Sequence, residues 1–211
     1  TKFFLNWLKF VFIIFIFFVS KSFYAQCKSS SETSFDVSTA IYAGDSESFL
    51  IGGVESYPQS LAFNNDGTKM FVLGTIGDDI NEYTLSTPFD VSTASYVQNF
   101  SVAAQETFPT SLAFNNDGTK MFVMGTNGDD INEYTLPTPF DISTASYDGD
   151  SERFSVAAQE IFPNSLAFNN DGTKMFVMGT IGDDVNEYTL SPGFDVSTAS
   201  YVQNFSVAAQ E

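Results

Sequence analysis

The sequence has no histidine, one cysteine, and only 8 lysines and arginines against 26 aspartates and glutamates in 211 residues. Each shortage removes a class of chemistry. Without imidazole, these residues contain no Ser-His-Asp triad, no Cys-His pair and no histidine metal ligand. One cysteine permits no internal disulfide. A formal charge of −18 repels phosphate backbones and anionic lipid headgroups, which argues against nucleic acid and membrane surfaces as partners. Aromatic residues are abundant, with 24 Phe and 9 Tyr. That is too many for a disordered acidic chain and enough for a packed core.

Charge is unevenly placed. Every acidic residue follows position 31, while Lys2, Lys9 and Lys21 precede it. The run FVFIIFIFFV (Phe10 to Val19) lies between these lysines and is followed by SKSFYAQC. A basic region, an apolar region and a cleavage region in that order read as a secretion signal over residues 1–25, cut after Ala25, with a leader over 26–34. Ten apolar residues are too few to span a bilayer, so no stable membrane span is expected after cleavage. An uncleaved anchor lengthened by Leu5, Trp7 and Leu8 is the competing reading. Cys27 follows Gln26, where a lipoprotein signal wants Gly or Ala, and so reads as a spare thiol. The expected location is secreted, periplasmic or at the cell surface.

Internal repeats dominate the rest. SLAFNNDGTKMFVLGTIGDDINEYTL (Ser60 to Leu85) recurs from Ser111 to Leu136 and from Ser165 to Leu190, varying at three of its 26 positions. A second motif, FD[VI]STA, begins at Phe35, Phe89, Phe140 and Phe194, at spacings of 54, 51 and 54. The three-residue difference falls between this motif and the next SLAF, so one loop is expected to absorb it. Within a copy, Leu61 and Phe63 flank Ala62, NNDG supplies a turn through Gly67, and Lys69 to Leu73 resumes an apolar run. This predicts a hairpin. Consecutive apolar residues in MFVL predict a strand covered on both faces. Ile80 to Leu85 and Tyr96 to Val102 read as third and fourth strands, joined by a turn in which Asp90 caps local N–H groups.

Four strands in each 51 to 54 residues match the period of a propeller blade. The SLAFNNDGTKMFV element resembles the first hairpin of YVTN-type and NHL-type β-propellers, within the wider tryptophan-aspartate-like superfamily. The tryptophan-aspartate subtype itself finds no support, because Trp7 is the only tryptophan. The resemblance covers residues 35–211 and implies an all-β fold: a partial propeller of three four-stranded antiparallel blades after an apolar signal helix. Residues 35–58 read as an orphan outer strand and its connection, then 59–108, 109–162 and 163–211 as successive blades. The last copy stops at Gln210-Glu211, where earlier copies continue to Phe-Pro and another SLAF, and so reads as truncated, with apolar surface at both ends.

Candidate metal ligands recur as Asp78, Asp79 and Glu82, as Asp129, Asp130 and Glu133, and as Asp183, Asp184 and Glu187, beside Asn81, Asn132 and Asn186. Oxygen ligands of this kind suit Ca²⁺. The competing reading is a solvated acidic turn, because the spacing is not that of an EF-hand and neighbouring strand residues point to opposite faces. No other cofactor is implied. Phe and Tyr at the blade period read first as core and second as carbohydrate-stacking platforms. Near-identical copies deliver the same group several times, whereas catalysis needs distinct groups at one place. The sequence therefore points to a secreted, non-catalytic module binding a protein or glycan. A metal-dependent hydrolase or lyase of the lactonase kind is the alternative.

Overall fold

The computed structural model describes Ser38, residues 40–42 and residues 44–210. The expected signal peptide, its cut after Ala25 and Cys27 lie outside the described residues. The chain divides into two units, residues 1–43 and 44–211. Among the described residues no helix is long and apolar enough to cross a membrane.

The second unit holds three antiparallel sheets. The first, blade 1, runs β1 (Pro58–Phe63), β2 (Lys69–Gly74), β3 (Asp79–Leu85) and β4 (Ala94–Ser101) in chain order. Blade 2 comprises β5 (Pro109–Phe114), β6 (Lys120–Gly125) and β7 (Asp130–Thr135), and its outer strand is broken into β8 (Ser146–Tyr147) and β9 (Arg153–Ser155). Blade 3 comprises β10 (Pro163–Phe168), β11 (Lys174–Gly179), β12 (Asp184–Thr189) and β13 (Ser200–Ser206).

The NNDG hairpin forms as its residues dictate. Asn64 Oδ1 accepts from Lys69 N at 2.9 Å, and Asp66 Oδ1 accepts from Thr68 N at 3.0 Å. Gly67 takes φ 70°. Conformation is only half its role. A Cβ there would lie 2.3 Å from the Phe89 ring, and the same contact recurs at Gly118 on Phe140 and at Gly172 on Phe194. Those phenylalanines open the FD motif at positive φ, and Phe89 N donates to Gly67 O at 2.9 Å. Asp90 caps the following turn by accepting from Ser92 N at 3.1 Å, as Asp141 does from Ser143 N.

Two elements differ from the expectation. The orphan outer strand expected within residues 35–58 does not form among its described residues: Asp45–Glu47 is a single 3-10 turn and residues 48–50 are irregular. Among the described residues no neighbouring strand offers it ladder partners. In blade 2 the three extra residues fall inside the outer strand, where Gly149 at φ 100° and a turn over Asp150–Glu152 separate β8 from β9. The ladder resumes afterwards, with Ile131 opposite Phe154.

The sheets stack face to face. Phe71, Leu73 and Ile80 of blade 1 pack with Leu112, Met121, Val123 and Tyr134 of blade 2. Phe122, Met124 and Ile131 of blade 2 then pack with Leu166, Met175, Val177 and Tyr188 of blade 3. Each fully buried side chain contributes roughly 1.5–3 kcal/mol. Phe71 and Phe122 are fully buried, but the equivalent Phe176 is half-buried, because no blade covers it among the described residues. The sequence suggests that a middle copy is the most sensitive. The structure instead groups the first copy with the middle one.

Phe71→Ala and Phe122→Ala should each cost about 3–5 kcal/mol, and Phe176→Ala clearly less. Urea unfolding of the three variants measures this. Equal losses at all three positions would contradict the stacking.

Candidate functional site

The three acidic triplets lie where the second and third strands of each blade join. Asp78, Asp129 and Asp183 occupy the turns, all at φ 49°. Burial raises the Asp78 carboxyl above its ordinary range, with Asp79 adding like-charge repulsion. The next two acids of each triplet separate onto opposite faces, because side chains alternate along a strand. Asp79 accepts from Asn81 Nδ2 at 2.8 Å and Asn99 Nδ2 at 2.6 Å. Asp184 is held in the same way by Asn186 and Asn204. Asp130 accepts from Asn132 Nδ2 at 2.9 Å, but Arg153 Nε replaces the second amide, at 3.4 Å. Burial raises the Asp130 carboxyl despite that guanidinium.

Glutamates 82, 133 and 187 face the other way and meet lysines. Glu82 pairs with Lys69 at 2.7 Å and accepts from Gln98 Nε2 at 2.8 Å. Glu187 pairs with Lys174 at 2.5 Å and accepts from Gln203 Nε2 at 2.9 Å. Glu133 pairs with Lys120 and accepts from Val196 N of the next blade at 3.3 Å. Burial raises its carboxyl against the pull of Lys120. The structure therefore does not gather any triplet into one ligand set.

Among the described residues, one group of three carboxylates does converge. Single oxygens of Glu133, Glu152 and Asp195 lie within 4.8 Å of one another. Glu152 arrives there on the turn inserted into the outer strand of blade 2. Sequence reasoning missed this meeting, because it joins different blades. The Lys120 ammonium on Glu133 already supplies a positive charge at that point.

A second set of glutamates also escaped sequence reasoning. Glu55, Glu106 and Glu160 are at most 1% exposed and sit before the inner strands. Each turns back on itself, with Glu106 N donating to Val102 O at 2.9 Å and the same bond at Glu55 and Glu160. The carboxylates accept from the backbone N–H two residues on, at 2.6 Å for Tyr57 and Phe108 and 2.8 Å for Phe162. Glu106 also takes Asn127 N at 3.2 Å, and Glu160 takes Ile181 N at 3.3 Å, from the turn between second and third strands. Room for each carboxyl comes from a glycine. A Cβ at Gly74, Gly125 or Gly179 would lie 2.0, 2.2 or 2.2 Å from the glutamate Cδ. Oε2 of Glu55 and of Glu106 is buried without a partner. Burial raises the Glu106 carboxyl despite the N–H groups it accepts from.

These buried braces hold an exposed aromatic at the same corner of every blade. Tyr57, Phe108 and Phe162 are 62%, 60% and 50% exposed. Their carbonyls accept from Thr75, Thr126 and Thr180 N at 3.2, 3.2 and 3.3 Å, fixing the corner to a turn that presents Ile76, Asn127 or Ile181. The inner strands that follow lie side by side: Leu112 N donates to Ser60 Oγ at 3.1 Å and Leu166 N to Ser111 Oγ at 3.0 Å. The corners therefore recur at one end of adjacent strands. The sequence signal was the aromatic-Pro pair before each SLAF.

No protein-family model and no curated protein sequence matches the chain. Solved structures do. The Pseudomonas aeruginosa periplasmic gluconolactonase PpgL matches with a TM-score of 0.51 at 17% identity, over 71% of this chain and 40% of that one. A Bacteroides fragilis protein described as a candidate 6-phosphogluconolactonase gives 0.52 at 14% identity, over 71% and 39%. Its Bacteroides uniformis counterpart gives 0.51 at 12% identity, over 70% and 40%. The chain thus spans about two fifths of the length of these structures. The likeness establishes a partial β-propeller fold.

Two outcomes test the site. A carboxyl whose pKa is raised by folding lends stability that is complete below its unfolded pKa and is lost as pH rises through the folded value. Glu106→Gln keeps an acceptor for Phe108 N and removes that titration. Its melting temperature should therefore gain on the wild type as pH rises above about 4, as read by thermal unfolding in matched buffers. Separately, Ca²⁺ and a chelator should both leave the wild-type melting temperature unchanged, because Asp79, Asp184 and the triplet glutamates already have partners. A calcium-dependent rise would restore the metal reading.

Proposed function

We propose that this chain is part of an extracytoplasmic, non-catalytic β-propeller that binds a protein or glycan through its repeated aromatic corners. The observation that carries the reading is the recurrence of one exposed ring per blade, at positions 57, 108 and 162, on the same carboxylate-braced turn. Similar weak contacts held at fixed spacing combine through effective concentration. The basic and apolar N-terminal pattern supports export, and PpgL, one of the similar structures, is described as periplasmic.

A second reading is a hydrolase of the lactonase kind. The names of similar structures favour it: one is a gluconolactonase and two are candidate 6-phosphogluconolactonases. These comparisons lend it more support than they lend the binding module. The repeated corner in turn favours the binding module.

Titration against a panel of soluble oligosaccharides and surface-protein fractions, alongside an assay of gluconolactone hydrolysis, separates the two. The binding reading expects several equivalent sites and no turnover. Phe108→Ala, a change at an exposed position, should weaken multivalent binding by roughly tenfold or more. Lactone turnover with a single site would favour the hydrolase.

A further inference from the structure

The turn between the second and third strands reads Thr-Ile-Gly-Asp-Asp in blades 1 and 3 but Thr-Asn-Gly-Asp-Asp in blade 2, where Asn127 stands in the place of Ile76 and Ile181. Asn127–Gly128 is the only asparagine-glycine pair in the sequence. Such a pair is chemically distinct, because glycine has no side chain to shield its nitrogen from the carboxamide that precedes it. The other asparagines of blade 2 are tied down. Asn115 Nδ2 donates to Thr119, Asn132 Nδ2 to Asp130 and Asn116 Nδ2 to Asn170 O. Asn127 is exposed, and its side chain has no hydrogen-bond partner among the described residues.

The backbone leading into the pair is held, while the glycine nitrogen is not. Thr126 N donates to Phe108 O and Asn127 N to Glu106 Oε1, both at 3.2 Å, whereas Gly128 N donates to no backbone carbonyl among the described residues. Glu106 lies against this nitrogen. It is fully buried, its Oε2 has no partner, and the Gly128 N–H is near enough to favour its charged form. A lone pair on a carboxylate is thus open to the proton that Gly128 N must lose to become a nucleophile. Glycine is also the residue that fits: a Cβ at Gly128 would lie 2.5 Å from Asp130 Oδ2.

We propose that Asn127 is a self-modification site of the folded protein, at which Gly128 N attacks the Asn127 side-chain carbonyl and Glu106 takes up the proton that this nitrogen loses. A bond forms between Gly128 N and Asn127 Cγ. The proton passes on to the side-chain nitrogen, the Cγ–Nδ2 bond breaks and ammonia leaves, so that a succinimide remains. Water then opens the ring. Cleavage on the Cγ side leaves aspartate at position 127, and cleavage on the main-chain side leaves isoaspartate, which routes the backbone through Cβ and Cγ. The net change is hydrolysis of an amide: water enters and ammonia departs. Either product adds a negative charge to a turn that already holds Asp129 and Asp130. Isoaspartate also lengthens the turn to which the Phe108 corner is fixed. The isoleucines of blades 1 and 3 have no amide to lose.

Incubation of the full chain in neutral buffer, followed by peptide mass spectrometry and enzymatic methylation of isoaspartate, tests the proposal. The wild type should convert at position 127 faster than at Asn116 or Asn170, and at least as fast folded as unfolded in urea. Asn127→Ile, the residue of the sister blades, should remove the methylation at this turn. Glu106→Gln should slow conversion of the folded protein about tenfold or more. The pH profile separates proton transfer from a structural role: the wild-type rate should level off once Glu106 is ionised, whereas that of Glu106→Gln should climb steadily with hydroxide. Asp130 and Tyr134, both on β7, are the titratable side chains that bear on Glu106. An unmodified position 127 overturns the proposal. So does a folded rate well below the rate in urea, or a rate and pH profile that Glu106→Gln leaves unchanged.

Discussion

The constraint on which this structure rests is that a blade has two apolar faces and cannot hide both by itself. Phe71 and Met70 are neighbours on β2 and point to opposite sides, so one sheet must be covered twice. Stacking meets this demand by using the same contact repeatedly. The polar groups obey the same logic. Glu82 and Glu133 are buried with a lysine ammonium beside each, which offsets the cost of taking their charge out of water. The lysine that neutralises each also reaches a carbonyl of the next sheet, so charge compensation and blade docking are a single arrangement.

Much of this was legible in the sequence because repetition gave each pattern three independent appearances. The NNDG hairpin, the both-sides-buried second strand and the capped FD turn all follow from local residue types. What escaped was set by fit across distance. Glu106 follows an Ala-Ala-Gln stretch that reads as a solvated turn, and nothing nearby announces that Gly125 leaves room for its carboxyl. Phe89 and Gly67 look unrelated in sequence, yet the ring lies where a Cβ at residue 67 would be. The acidic triplets are divided for a reason already in the sequence: a spacing of three along a strand sends Asp79 and Glu82 to opposite faces.

Blade 2 shows how little change creates a difference. Replacing a three-residue stretch of the outer strand by six breaks that strand, puts Arg153 in the place of Asn99 and brings Glu152 toward Glu133 and Asp195. The core beneath is undisturbed, since Phe154 still meets Tyr188 as Phe100 meets Tyr134. The insertion is carried on the rim, while the stacked interior varies only between apolar residues of similar size, Leu73 against Met124 and Ile131 against Val185. The exposed aromatic corners belong to the constant part, because a buried glutamate braces each of them.

The forward reach of Lys69 and Lys120 has a genetic corollary. Every junction is written wholly in the residues of the repeat itself, donor in one unit and acceptor in the following one. Unequal recombination between copies can therefore add or delete a whole unit and leave each remaining seam correctly matched, whereas replacing a single lysine or its glutamate partner strands a charge. Such an array is free to change its length far more readily than its alphabet.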